Sequence, residues 1–128
     1  METLRNSGFF TTIEKITGII WDEGQLKITI CSNEEKQYTL FFQHIWDFRC
    51  ATEHGFIDRF CRFRESLSPD IVDNGFYIVE NSDYVEYFLR QGGMLLLLDD
   101  ITDYLFSDKV DTVIEVLSSV EPQIIPEP

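Results

Sequence analysis

The stretch ITGIIWDEGQLKITIC, residues 16–31, indicates which class of fold the chain adopts. In its second half, Leu26, Ile28 and Ile30 alternate with polar residues, which is the period of a β-strand with one buried face. The Glu-Gly pair at 23–24 separates two apolar runs and is typical of a tight hairpin turn. The stretch therefore predicts two antiparallel strands joined by a short turn.

Further segments have the composition of strands. They are QYTLFFQ at 37–43, HIWDFRC at 44–50, GFYIVE at 75–80, MLLLL at 94–98 and DYLF at 103–106. In the first of them Tyr38, Leu40 and Phe42 share one face, while Phe41 is apolar on the other. Short links join the early segments, so an antiparallel meander is the simplest arrangement.

The segment EHGFIDRFCRFRESL at 53–67 fits two structures. As a helix it places Phe56, Phe60 and Phe63 on one apolar stripe, with its charged residues largely elsewhere. As a strand it would place Phe56 and Phe60 on the face opposite to Phe63. We favour the helix, and the strand is the alternative.

Two more helices are predicted in the second half of the chain. The first is capped by Asn81 or Ser82, carries an inward stripe that includes Tyr84 and Phe88, and ends at the glycine pair 92–93. The second extends from about residue 108 to residue 119. Its inward residues are predicted to be Val110, Val113, Ile114 and Leu117.

These segments predict a single α+β domain over residues 1–128. It comprises an antiparallel sheet of about five or six strands with two or three packed helices. Prolines at 122, 126 and 128 make residues 121–128 unsuited to a helix or a central strand, so we expect a proline-rich tail along the surface. We expect four apolar residues to lie in one buried core. They are Trp46, Phe48, Phe88 and Leu117.

The formal net charge of −13 is concentrated in the second half of the chain. Residues 1–65 contain ten acidic and eight basic side chains, whereas residues 66–128 contain thirteen acidic and two basic ones. Nucleic acids and anionic membranes are therefore disfavoured as partners. The chain begins without a signal-peptide pattern and has no apolar run of about 20 residues, so we expect a cytoplasmic protein.

No group of residues predicts a catalytic site, a metal site or a cofactor. The spacing of His44, His54 and the three cysteines matches no zinc pattern, and we expect Cys31 and Cys61 to be buried free thiols. The acidic residues at 99–103 fit a solvated strand end better than a cation site. The arginines and phenylalanines of 49–64 resemble a single-strand-binding cluster, but the overall acidity opposes that interpretation.

The second half of the chain also resembles a known class of proteins. YIVENSDYVEYF at 77–88 and DYLFSDKVDTVIEVLSSVEPQI at 103–124 are similar to patterns in small acidic bacterial α+β proteins. In size, charge and single-domain form, the chain resembles the immunity proteins of bacterial polymorphic toxin systems. This resemblance covers residues 76–125 and implies a cognate toxin as partner, often a basic nuclease, and no catalytic residue.

We therefore predict a non-catalytic protein-binding module, an immunity protein that neutralises a basic toxin. A concentrated negative surface attracts a basic partner and raises its association rate. The predicted docking residues are Asp83, Glu86, Tyr87, Asp99, Asp100, Asp103 and Asp111. The alternative function is that of a small-ligand-binding protein or an enzyme, whose pocket would lie near Trp46, Asp47, Arg49 and Glu80.

Overall fold

The computed structural model of the protein describes residues 1–92 and 100–128. Within these ranges the chain forms nine β-strands, two α-helices and one 3-10 helix. The strands are β1 (Thr3–Asn6), β2 (Ile13–Asp22), β3 (Gln25–Ser32), β4 (Gln37–Phe42), β5 (Asp47–Thr52), β6 (Phe76–Glu80), β7 (Thr102–Ser107), β8 (Thr112–Ser118) and β9 (Gln123–Pro126). The helices are the 3-10 helix Glu53–Phe56, α1 (Ile57–Glu65) and α2 (Asp83–Gly92).

The strands form two antiparallel sheets. The five-stranded sheet has the order β1-β6-β7-β8-β5, and the four-stranded sheet has the order β2-β3-β4-β9. Two antiparallel sheets with two helices agree with the predicted α+β class. The prediction of one sheet with about five or six strands was too low, because the described residues form nine strands in two sheets.

The predicted hairpin of β2 and β3 is confirmed. Asp22 pairs with Gln25, so the connection between β2 and β3 has two residues. Glu23 has a φ of 49° and Gly24 a φ of 82°. Positive φ at both turn positions matches the right-handed twist of the two strands, and glycine adopts it without steric cost.

The main core lies between the two sheets. Leu26, Ile28 and Ile30 of β3 are fully buried there, as the alternating pattern predicted. They pack in one cluster with side chains of the five-stranded sheet, including Phe106 and Ile114. One face of the five-stranded sheet is therefore covered by the four-stranded sheet.

A second core covers the opposite face of the five-stranded sheet. Phe56 and Phe63 from the helical segment pack against Tyr77, Leu105 and Val113 of the sheet. The segment 53–67 is thus helical over residues 53–65, as we favoured. The five-stranded sheet is consequently the middle layer of three, with the four-stranded sheet on one face and the helices on the other.

The helix predicted over residues 108–119 is wrong. Residues 108–111 form a turn, and residues 112–118 form strand β8, an interior strand of the five-stranded sheet between β7 and β5. Both faces of β8 are buried, so its apolar residues form a nearly continuous run instead of alternating with polar ones. Within such a run, apolar residues also recur at helical spacing, which produced the wrong interpretation.

The surface tail predicted for residues 121–128 is also corrected. Residues 123–126 form β9, which pairs with β4 at the edge of the four-stranded sheet. An edge strand tolerates Pro126, because one side of its backbone needs no partner. Ile124 packs against the main core, so this segment contributes to the fold.

The predicted core residues have mixed outcomes. Leu117 is fully buried, although on a strand, while Trp46, Phe48 and Phe88 are only partly buried. Cys61 is exposed and Cys31 partly buried, so the expectation that both thiols are buried was wrong. The strand predicted at 94–98 lies outside the described residues.

Candidate protein-binding site

A network of charged side chains lies between the helices and the five-stranded sheet. Arg59 of α1, which is only 8% exposed, is at its centre. Its Nη1 and Nη2 atoms donate to the two carboxylate oxygens of Glu115 at 2.5 and 2.8 Å. Its Nε and Nη2 atoms donate to the two oxygens of Glu2 at 3.0 and 2.7 Å. These two-point contacts are strong and fix the plane of the guanidinium group.

Asp103 completes the buried part of this network. It lies on β7, diagonally opposite Glu115 of β8, and neither side chain has any exposure. Ser82 Oγ donates to Asp103 Oδ2 at 2.6 Å, and Arg59 Nη2 lies 3.5 Å from the same oxygen. In the described part of the chain, no group donates a hydrogen bond to the buried Asp103 Oδ1 atom.

The two buried carboxyl groups have opposite pKa shifts. Burial, followed by the hydrogen bond with Glu115, raises the pKa of Asp103 to about 9. Burial alone would raise the pKa of Glu115, but the hydrogen bonds from Asp103 and Arg59 and the nearby arginine charges lower it. At neutral pH Asp103 is therefore protonated and donates to an ionised Glu115.

The same network holds the beginning of α2. Ser82 Oγ accepts from the Val85 backbone N–H at 3.0 Å, which makes Ser82 the cap that the sequence allowed. Glu2 Oε1 accepts from the Asp83 backbone N–H at 2.9 Å. Ser82 also binds Asp103 of the sheet, and Glu2 also binds Arg59 of α1. The start of α2 is therefore joined to both elements.

A second set of contacts joins α2 to the edge strand β5. The buried Tyr84 donates its hydroxyl to Asp47 Oδ2 at 2.7 Å. Arg49 lies over the Tyr84 ring at 4.0 Å and donates from Nε to Glu115 Oε1 at 2.9 Å. Burial and the Asp47 hydrogen bond raise the pKa of Tyr84, so its hydroxyl keeps its proton. These contacts make the first turn of α2 a rigid part of the surface.

Two adjoining recesses lie beside α1, and both are lined by Arg49, Arg59 and Arg62. One, of about 190 Å³, is bordered by Tyr87 of α2. The other, of about 380 Å³, is bordered by Ile57 of α1. We call these two recesses the inter-helix groove. Tyr87 and Ile57 are 62% and 54% exposed, so each end of the groove presents an apolar side chain to solvent.

The structure places two predicted docking residues, Asp83 and Tyr87, at this groove, and Glu86 lies on the same helix. Asp83, Glu86 and Tyr87 are exposed on α2, and Glu86 forms an ion pair with Arg90 one turn later. Asp83 borders the recess beside Tyr87. Asp100 is also exposed, in the segment that precedes β7.

Three other predicted docking residues differ from this arrangement. Asp103 was expected at the surface, but it is fully buried because its side chain points to the helix-covered face of β7. Asp111 lies at the opposite end of β7, where its Oδ1 accepts from the Glu53 backbone N–H at 3.0 Å. Asp99 lies outside the described residues.

The four residues of the alternative pocket do not line one recess in the described part of the chain. Arg49 borders the inter-helix groove, and Asp47 accepts the Tyr84 hydrogen bond nearby. Trp46 instead donates from Nε1 to Ser119 Oγ at 2.9 Å. Glu80 of β6 forms an ion pair with Arg5 of β1. Strands β7 and β8 separate β6 from β5.

The network residues Glu2, Arg59 and Glu115 were missed in the sequence analysis. A signal for Glu115 was present, since a lone carboxylate inside the apolar run of β8 requires a buried cationic partner. Arg59 was placed on the polar side of α1, although it lies three residues after Phe56 and four before Phe63 and therefore on the same face of the helix. Within residues 1–92 and 100–128 no group of three possible metal ligands is found.

The chain matches no protein-family model, no curated protein and no solved structure. In the described ranges, both helices are too short and too polar to cross a membrane.

Proposed function

We propose that the protein is a non-catalytic binding module whose partner is a basic protein that docks at the inter-helix groove. The observation that carries this proposal is the exposed Tyr87 beside Asp83 on a helix whose start is fixed. Exposed tyrosines are frequent anchors of protein interfaces, because they bury a large ring at a low entropic cost. A fixed helix adds affinity, since little conformational freedom is lost on binding.

The charge of the molecule supports a basic partner. Arg49 and Arg59, two of the three arginines that line the groove, are paired with the carboxylates of Glu2 and Glu115. They therefore do little to offset the acidic surplus at the surface, which is most of the net charge of −13. A field of this sign steers a basic protein toward the surface and repels nucleic acid.

The resemblance of residues 76–125 to immunity proteins supports a more specific proposal. The partner would be a basic bacterial toxin, such as a nuclease, and the protein would neutralise it in the cytoplasm. Inhibition would come from covering the toxin surface, which requires no catalytic residue in this chain. The exposed ring, the mixed-charge groove and the acidic surroundings together match the core and rim of such an interface.

Affinity capture from the native host with mass spectrometry tests this proposal. The bait is the full chain, compared with Tyr87→Ala and with the control Trp21→Ala, because Trp21 is exposed to a similar extent, 60%, on the four-stranded sheet. We expect a captured basic protein whose binding weakens about ten-fold or more for Tyr87→Ala, the range of an interface anchor, and is retained by the control.

Two results would contradict the proposal. One is a direct partner whose affinity is unchanged by Tyr87→Ala. The other is a partner that is acidic, because the charge argument then has the wrong sign.

A further inference from the structure

A separate cleft of about 480 Å³ lies where α1 meets the end of β7 and the beginning of β8. It is bordered by the second half of α1, the loop that precedes β6 and the turn between β7 and β8. Its volume is within the range of about 300–1,000 Å³ that is usual for small-molecule sites.

The floor of this cleft is apolar. Phe63, Tyr77 and Val113 line it, and all three belong to the second core. Phe60 and Ile71 line it as well and are only partly buried. The cleft therefore exposes apolar side chains that a ligand with an aromatic or aliphatic body would cover.

The rim of the cleft is acidic. Four carboxylates and two cations line it, so its formal charge is negative. The carboxylates are Glu53, Asp73, Asp108 and Asp111, and the cations are Arg64 and Lys109.

Two of these carboxylates are occupied by other groups. Asp73 binds Lys109 Nζ at 3.2 Å and accepts from the Tyr77 hydroxyl at 3.2 Å. Asp108 accepts backbone N–H bonds from its own turn and from Ile16.

Glu53 and the second oxygen of Asp111 have no cationic partner within the described residues. Asp111 Oδ1 accepts from the Glu53 backbone N–H, which holds the two residues side by side at the edge of the apolar floor. A cationic group seated there would form charge-assisted hydrogen bonds with both carboxylates.

We propose that this cleft binds a small organic cation, an amine attached to an apolar or aromatic body. The body covers Phe60, Phe63 and Tyr77, and the ammonium group lies between Glu53 and Asp111. The site is distinct from the inter-helix groove, because the two share no lining residue.

The test uses two probes with the same ring and opposite charges, phenethylamine and phenylacetate. Binding to the full chain is followed by the NMR shifts of the Phe60 and Tyr77 rings. We expect saturable binding of phenethylamine with a Kd on the order of 1 mM, as suits a ligand of this size. Phenylacetate should bind at least about ten-fold more weakly, because the rim repels it.

Two matched double variants test whether Glu53 and Asp111 cause the preference for the cationic probe. Glu53→Gln with Asp111→Asn removes both carboxylates and keeps the acceptor for the Glu53 N–H. Asp22→Asn with Glu34→Gln removes two charges at exposed positions of the four-stranded sheet and its turns, neither of which lines the cleft. The first variant should weaken phenethylamine binding about five-fold or more, and the second less than about two-fold.

Three outcomes would overturn the proposal. They are the absence of saturable shifts at Phe60 and Tyr77, equal affinities for the two probes, and equal effects of the two double variants.

Discussion

Asp103 and Glu115 share one proton on adjacent strands, and that proton sets the charge between the helices and the sheet. With Asp103 neutral, two carboxylates face two guanidinium groups. Ionisation of Asp103 would add a third negative charge where no water can screen it. The stability of the fold should therefore depend on the protonation of this one residue.

Asp103→Asn should change how stability depends on pH. The pKa of Asp103 is about 9 in the folded protein, against about 4 in the unfolded chain, so folding takes up a proton between these values. The wild-type free energy of unfolding should consequently fall as pH rises, by up to about 1.4 kcal/mol per pH unit. Asparagine keeps the donor and the acceptor but does not titrate. The advantage of the variant should therefore grow from pH 5 to pH 9.

Urea unfolding at several pH values measures this difference. Between pH 5 and pH 9 the Glu115 carboxylate is ionised in both folded and unfolded chains, so its lowered pKa does not contribute there. Parallel pH profiles for the two proteins would show that Asp103 is ionised in the folded state.

Arg59→Leu should be strongly destabilising. Removal of the guanidinium leaves Glu115 and Glu2 buried without their main cation, which costs about 3–5 kcal/mol in comparable buried pairs. Arg62→Leu is the matched control, because Arg62 is exposed one turn later on the same helix. Its effect should be less than about 0.5 kcal/mol in the same urea experiment. Equal effects of the two substitutions would contradict the central role of Arg59.

At the scale of elements, β9 should be essential to the fold. Removal of residues 121–128 breaks the ladder between β9 and β4, uncovers part of the main core at Ile124 and exposes the edge of β4. We expect a loss of about 2–4 kcal/mol from the lost burial and hydrogen bonds, with self-association through the free edge. Thermal unfolding and light scattering measure the two effects.

A control substitution shows whether residues 123–126 stabilise the fold as a strand or only lie on its surface. Ile125 is 42% exposed on the outer side of β9, so Ile125→Thr should leave stability almost unchanged. If the truncated protein were as stable as the full chain, β9 would contribute nothing.

Elements with one buried face could be predicted from the sequence, and so could β7, whereas β8, which is also buried on both faces, was predicted as a helix. The β2–β3 hairpin and α2 carry the period of their structure, because one side of each faces solvent. Strand β8 lost that period because Val113 and Val116 face different cores. The candidate site was predicted only at its surface, through Asp83 and Tyr87. Its buried part depends on contacts between Glu2, Arg59 and Glu115, which are far apart in the chain.

At the scale of the whole molecule, the acidic surplus should set the rate of partner binding. Asp83→Lys with Glu86→Lys changes the net charge from −13 to −9, and so does Glu14→Lys with Glu34→Lys. The first pair lies beside the inter-helix groove, while the second lies on the side of the four-stranded sheet. Asp103 is excluded from this test, because a lysine there would place an ammonium group against Arg59.

We expect the groove variant to slow association with the basic partner by about ten-fold or more and to flatten its salt dependence. The remote variant should slow it much less, since its charges do not line the groove and salt screens exposed charges over a length of about 8 Å. Surface plasmon resonance at several salt concentrations measures both rates. Equal rates for the two variants would mean that only the total charge matters.

The position of β8 between β7 and β5 has a consequence for how the chain folds during synthesis. On the ribosome, β5 is made well before β8, which is its only neighbour in the described part of the sheet. The ion pair between Arg59 and Glu115 likewise cannot form until Glu115 has been made, whereas Glu2 is made before Arg59. The nascent chain therefore carries an unfinished sheet and a poorly compensated charge until late in translation. Such non-local closure is slow, and it makes the newly made chain a natural client for chaperones.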